Sequence, residues 1–184
     1  MALHVSPDAR VIPFRGTRPV LGDGVFIAPG VTVIGDVIVA EKSSLWYGTV
    51  VRGDVHFIRI GRETNIQDNC VVHVTADTHS VSIGDRVTVG HGAIIHGATL
   101  EDGCLIGMGA QILDGARVGE GSLIGAGSLV APGDRIPPGV LALGSPAKVR
   151  RPLNAEERER VRKAADQYME YALQHARELG LLAR

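Results

Sequence analysis

An aliphatic residue returns every six positions over most of this chain, and that period constrains the fold more than any other feature. Ile27, Val33, Val39, Leu45 and Val51 form an unbroken run; Ile60, Ile66 and Val72 resume it after a three-residue insertion; Ile83, Val89 and Ile95 follow a five-residue insertion. After a slip of one residue come Leu100, Ile106, Ile112, Val118, Ile124, Val130 and Ile136, which makes 18 repeats. Glycine often follows directly, as in Ile60-Gly61, Val89-Gly90 and Ile124-Gly125. An amphipathic helix needs apolar residues at i, i+3, i+4 and i+7, so this pattern excludes helix for residues 25 to 140. Each unit reads as a short strand and a turn. Alone it cannot bury its aliphatic side chain, whereas stacked units line a continuous core. Three units per triangular coil give six coils about 4.8 Å apart. The aliphatics then fall into three inward columns: Ile27, Leu45, Ile66, Val89, Ile106, Ile124; Val33, Val51, Val72, Ile95, Ile112, Val130; and Val39, Ile60, Ile83, Leu100, Val118, Ile136.

This pattern resembles the hexapeptide-repeat β-helix proteins. The expected fold class is therefore an all-β solenoid, a left-handed parallel β-helix of hexapeptide repeats with a C-terminal α-helix. The left hand is what the resemblance implies, since the general crossover rule favours the right. After Ile136 the text changes: residues 144 to 148 read as an exit loop, and Asn154 with Glu157 three residues on reads as a capped helix start. Val161, Ala165, Tyr168, Ala172 and Ala176 mark one face of a helix over residues 155 to 178, fit to pack on the prism. The expected division is a β-helix with an N-terminal cap segment over 1–150, then the helix over 151–184.

Composition narrows the function classes. Nineteen Lys+Arg against 20 Asp+Glu, with no basic patch, argue against nucleic acid as a partner. Asp8, Arg10, Arg15, Arg18 and three prolines occupy the first twenty residues, so neither a signal peptide nor a membrane span is expected and the reading is cytoplasmic. Cys70 and Cys104 sit in no paired arrangement and read as buried thiols.

Three histidines fall into the repeat in a specific way. His73 follows Val72 and His96 follows Ile95, so both occupy the position after a second-column aliphatic, one coil apart, with Arg52 one coil earlier. These three form an outward-facing ladder, and two imidazoles on adjacent coils can share one metal ion. His91 lies two residues after Val89, on another part of the triangle, above Asp68 and Tyr47 of preceding coils. A rigid prism should not bend it onto the ladder of its own chain. In a homotrimer of three prisms around a threefold axis, His91 of one subunit can face the ladder of the next. Three histidine ligands leave a fourth position open, the mark of a catalytic rather than a structural site.

The segments Val50-Val51-Arg52-Gly53-Asp54, Asn65-Ile66-Gln67-Asp68-Asn69 and Gly90-His91-Gly92-Ala93-Ile94-Ile95-His96-Gly97, with the Gly-Ser-Pro-Ala-Lys exit, resemble the γ-class carbonic anhydrases over nearly the whole chain. The resemblance implies Zn2+ held by His73 and His96 of one subunit and His91 of its neighbour, with Fe2+ or Co2+ also suited to imidazole. It implies an intersubunit ion pair of Arg52 with Asp68, a supporting role for Asp54, and Gln67 orienting the metal-bound water or hydroxide. The expected reaction is reversible hydration of CO2 to bicarbonate by that hydroxide. The family's archaeal prototype carries acidic proton-shuttle residues after the position of Asp54 and on an acidic loop; this chain has Val55 and no such loop. His56, His79, Tyr168 and Tyr171 are the available substitutes. The alternatives are a CoA-linked acyltransferase or thioesterase on the same scaffold, or a noncatalytic metal-binding assembly protein. Acyltransferases of this architecture use a lone catalytic histidine, against which the three-histidine set counts.

Overall fold

The computed structural model describes residues 3–182, and their backbone forms a parallel β-solenoid closed by one helix. Every sequence column survives as a stack of parallel pairings. Ile27 lies over Leu45, Ile66, Val89, Ile106 and Ile124 on one face. Val33, Val51, Val72, Ile95, Ile112 and Val130 stack on the second, and Val39, Ile60, Ile83, Leu100, Val118 and Ile136 on the third. All are buried and together fill the axis of the prism. Each large aliphatic so buried contributes about 1.5–3 kcal/mol relative to exposure, which is why the period can hold strands of only two residues in place.

The solenoid is longer than the expected six coils. His4–Val5 pairs below Phe26–Ile27, and Val140–Gly144 pairs above Leu123–Ile124, so one face carries eight parallel rungs. The segment expected as an N-terminal cap is itself a coil, with Val11 under Val33 and Leu21 under Val39. Its spacing from Val11 to Leu21 includes a small loop closed by the Phe14–Thr17 bridge, which hid the period. At the other end Ala142 replaces a large aliphatic, and the expected exit loop is the turn of an antiparallel hairpin, Val140–Gly144 with Ala147–Pro152. The other two faces form a single sheet because Thr32–Val39 and Val50–Ile60 run continuously around the corner between them.

Each coil needs a left-handed residue at its corners. At one corner Gly24, Gly103, Gly121 and Gly139 fill that role, while three intervening coils use Lys42, Glu63 and Arg86, at φ of 56°, 53° and 56°. Such a conformation costs a side-chain-bearing residue about 1 kcal/mol. These three side chains join in a charged ladder: Lys42 to Glu63 at 3.8 Å, Glu63 to Arg86 at 2.7 Å, and Arg86 to Asp166 of the helix at 2.7 Å.

The helix spans Ala155–Glu178, as the spacing predicts. The Asn154 side chain accepts from the Glu157 backbone N–H, and the Glu157 carboxylate accepts in return from Asn154 N–H. Val161, Ala165, Ala172 and Ala176 are buried against the first face of the prism, and Tyr168 packs edge-on to Trp46 at 5.2 Å. Among the described residues, no helix is long and apolar enough to cross a membrane.

Candidate metal centre

The ladder of Arg52, His73 and His96 forms as the register requires: Arg52 pairs with His73 and His73 with His96 on adjacent rungs. The aliphatic before each residue points inward, so the next side chain must point out. His73 Nδ1 stands 3.1 Å from His96 Nε2. The other nitrogen of each ring meets a carboxylate, His73 Nε2 at 3.0 Å from Asp54 and His96 Nδ1 at 2.6 Å from Asp114.

These contacts bear on which nitrogens carry protons. Burial pushes the Asp54 carboxyl up, but hydrogen bonds from Arg52 and His73 outweigh it and hold the group below the usual carboxylate range. Asp114 is likewise held low, its burial opposed by hydrogen bonds from His96 and Thr75. Both are therefore ionised at neutral pH and can only accept hydrogen bonds. The ring nitrogens facing them must donate. Burial is the leading reason that His73 gains a second proton less readily than an ordinary imidazole, with Arg52 and His96 acting the same way against the pull of Asp54. With each ring donating to its carboxylate, the remaining nitrogens face each other at 3.1 Å, a spacing at which a cation or a shared proton can sit between them.

His91 occupies a separate cluster. Its Nδ1 meets Asp68 at 2.6 Å, and the same carboxylate accepts from the Tyr47 backbone N–H at 3.1 Å, so the stack of Tyr47, Asp68 and His91 forms along one corner. Gln67 is buried: its carbonyl accepts from His91 N–H at 3.2 Å and its amide donates to Asn65 at 3.2 Å. The Tyr168 hydroxyl lies 3.5 Å from His91 Nε2, the outer limit of a hydrogen bond. Burial, and then the charge of Asp68, raise the Tyr168 phenol above its ordinary value, so it gives up its proton less readily than an ordinary tyrosine. Among the described residues of one chain, no three His, Cys, Asp or Glu converge on a common metal-sized space. A single chain brings His73 and His96 together and leaves His91 apart.

Arg52 and Asp68 do not pair within the chain. Arg52 binds Asp54 at 2.5 Å, while Asp68 serves His91, and both side chains remain partly exposed. Tyr171 packs on Tyr168 and accepts from Gln167. His56 packs edge-on to Phe57 in the insertion that follows Asp54, and His79 lies on the second insertion, beside Asp114 and Gly97. Sequence reasoning missed Asp114 and Thr75. Asp114 sits diagonally across from His96, whose rung neighbour is Leu113, and Thr75 reaches Asp114 from the irregular insertion at 2.7 Å. Neither contact follows from the period. Cys70 and Cys104 are buried thiols, raised by desolvation to about 11 and about 12, and take no part in this chemistry.

Comparison with known proteins places this geometry in a family. The hexapeptide model described as "Bacterial transferase hexapeptide (six repeats)" matches residues 97–132. The chain is 47% identical to a carbonic anhydrase of Geobacillus kaustophilus over 87% of this chain and 87% of that one. It is 44% identical to the mitochondrial gamma carbonic anhydrase 2 of Arabidopsis thaliana over 95% of its own length, and spans 65% of that longer protein. A Bacillus cereus crystal structure, provisionally named an acetyltransferase, superposes with a TM-score of 0.90 at 45% identity, covering 92% of this chain and 98% of that one. With near-complete mutual coverage, and with the histidine ladder built on its stacked coils, the chain belongs to the γ-class carbonic anhydrase-like family of hexapeptide-repeat proteins.

Proposed function

We propose that this protein is a metal-dependent carbonic anhydrase that interconverts CO2 and bicarbonate at sites shared between subunits of a homotrimer. The observation that carries the reading is the pair of facing ring nitrogens, His73 Nδ1 and His96 Nε2, at 3.1 Å. Two nitrogens of a tetrahedral zinc site, each about 2.05 Å from the ion, lie about 3.3 Å apart, so the spacing fits a metal between them. The carboxylate behind each ring is the usual partner of a metal-bound histidine, which it orients and makes more basic. In this reading His73 and His96 hold the ion with His91 of the partner subunit, and Fe2+ or Co2+ would fit the same donors as Zn2+. When bound, the ion supplies a Lewis acid that acidifies water near neutral pH for attack on CO2.

The chain's own groups have distinct duties. Asp54 and Asp114 keep the two ring tautomers fixed. Arg52 holds Asp54 and, with the unused half of its guanidinium, is available to Asp68 of the partner subunit, an ion pair that would set the register of the interface. Gln67 spends its carbonyl and one amide N–H inside the chain, which leaves its second amide N–H to orient a reacting oxygen. With Tyr168 holding its proton tightly, His56 beside Asp54 and His79 beside Asp114 are the better-placed carriers of the proton released at each turnover.

Stopped-flow CO2 hydration, with zinc-loaded and with anaerobically iron-loaded protein, tests the activity. Turnover with at least one metal is expected, together with loss of bound metal and activity in His91→Ala while the far-ultraviolet CD spectrum is retained. Wild-type metal content in His91→Ala would refute the shared site, and absence of turnover with either metal would refute the reaction. A second reading, acyl transfer, has one observation in its favour. A groove of about 580 Å³ between the helix and the prism, lined by Leu105, Met108 and Leu143, runs to His91 and Gln67. Acetyl transfer from acetyl-CoA to a panel of amines and alcohols in the absence of CO2 hydration would select it.

A further inference from the structure

We propose that Asp114, braced by Thr75, is the positioning residue of His96, and that the second insertion interrupting the repeat delivers this brace to the histidine ladder. The inference rests on the metal-site reading above and adds to it a supporting carboxylate outside the three histidines. Asp114 lies two residues after Ile112, one coil from His96. One carboxylate oxygen accepts the His96 Nδ1 proton at 2.6 Å; the other accepts the Thr75 hydroxyl at 2.7 Å. With both oxygens committed the carboxylate cannot rotate, so the imidazole is fixed in position and tautomer with Nε2 toward His73.

Thr75 is itself held. Its backbone N–H donates to His79 O at 2.9 Å, and His79 N–H returns a bond to Thr75 O at 3.2 Å, closing the loop that breaks the period. The space around Asp114 is reserved: a Cβ on Gly97, the residue after His96, would come within 2.4 Å of the Asp114 carboxylate and 2.7 Å of His79 Cβ. The other ring has its own carboxylate, Asp54, which stands just before the earlier insertion in Val50–Ile60 and binds His73 at 3.0 Å. A prism built for stability alone needs neither interruption. Arg52 and His73 are joined through Asp54, and His96 and Thr75 through Asp114, and the two hydrogen-bonded segments meet where His73 Nδ1 faces His96 Nε2 at 3.1 Å.

The test compares chelator-stripped wild type with Asp114→Ala, Asp114→Asn and Thr75→Val. Two readouts are used: Co2+ titration followed by visible absorption, and long-range proton–nitrogen correlation spectra of the imidazoles in the metal-free protein. Loss of a carboxylate behind a ligand histidine weakens metal binding about 10–100-fold. Asp114→Ala is expected in that range and to lose the single Nδ1–H tautomer of His96. Asp114→Asn, whose amide oxygen accepts the same proton without charge, should restore the tautomer and part of the affinity. Thr75→Val should fall near the low end of the range, and it carries the test by itself if Asp114→Ala does not fold. Unchanged affinity and an unchanged His96 tautomer in Asp114→Ala, or in Thr75→Val where only that variant folds, would overturn the positioning role. Failure of the wild type to take up Co2+ would instead overturn the metal site itself.

Discussion

Ile95 joins the fold to the site, and its truncation has a calculable cost. It is fully buried, packed between Val72 and Ile112 on adjacent rungs, and the next residue is His96. Ile95→Ala removes three carbons, about 2.4 kcal/mol at ~0.8 kcal/mol per methylene. The rung cannot move in to fill the space, because Ile94 N–H donates to Ala110 O at 2.9 Å above it while Ala93 O accepts from Val71 N–H at 3.0 Å below. The cavity should therefore persist and add a further ~1–2 kcal/mol, for a total of about 3.5–4.5 kcal/mol, within the range for buried Ile→Ala changes. For a chain of this length that corresponds to a fall in Tm of roughly 8–15 °C. Differential scanning calorimetry at fixed protein concentration measures it, because assembly makes Tm concentration-dependent. The control is Ile38→Ala, at an outward position 39% exposed, expected within about 0.5 kcal/mol of wild type. A cost below 1 kcal/mol for Ile95→Ala, or equal costs for the two variants, would refute the assignment of columns to the core.

The helix cap should respond to acid. Arg151 and the Asn154 backbone N–H hold the Glu157 carboxyl at about 2, against an ordinary 4.5, so its stabilisation is present above about pH 4.5 and lost as pH falls through about 2. The stability difference between wild type and Glu157→Gln, from urea melts, should shrink across that window; a difference constant from pH 7 to pH 2 contradicts it. At the charged corner, Arg86→Ala loses two partly exposed ion pairs and keeps the left-handed strain, so a loss of about 1 kcal/mol is expected. Arg86→Gly relieves the strain and should melt above Arg86→Ala, the reverse of the usual preference for alanine; the opposite order would be evidence against it.

The parts of this structure legible in the sequence are those the six-residue period controls. Because side chains alternate in and out of a stacked rung, the aliphatics alone specified which residues pair, and His73 and His96 came into register with no further information. Where the period breaks, the reading stopped. The first coil was hidden by the loop between Val11 and Leu21, the last by Ala142 at an inward position, and the hairpin after Val140 by its reversal of direction. Asp114 was invisible for a related reason: it meets His96 across a diagonal, through a contact completed by an insertion whose path no repeat dictates. The His91 ring is oriented by Asp68 one coil away, a partner that spacing identifies but whose hydrogen bond it does not.

A crystal structure of the zinc-loaded protein, with anomalous data on either side of the zinc absorption edge, tests the central claim most directly. One anomalous peak per chain is expected between His73 Nδ1 and His96 Nε2, with a third nitrogen from His91 of the partner subunit within about 2.0–2.1 Å of it. A peak elsewhere, or full occupancy between the two rings of an isolated monomer with His91 uninvolved, would contradict the account.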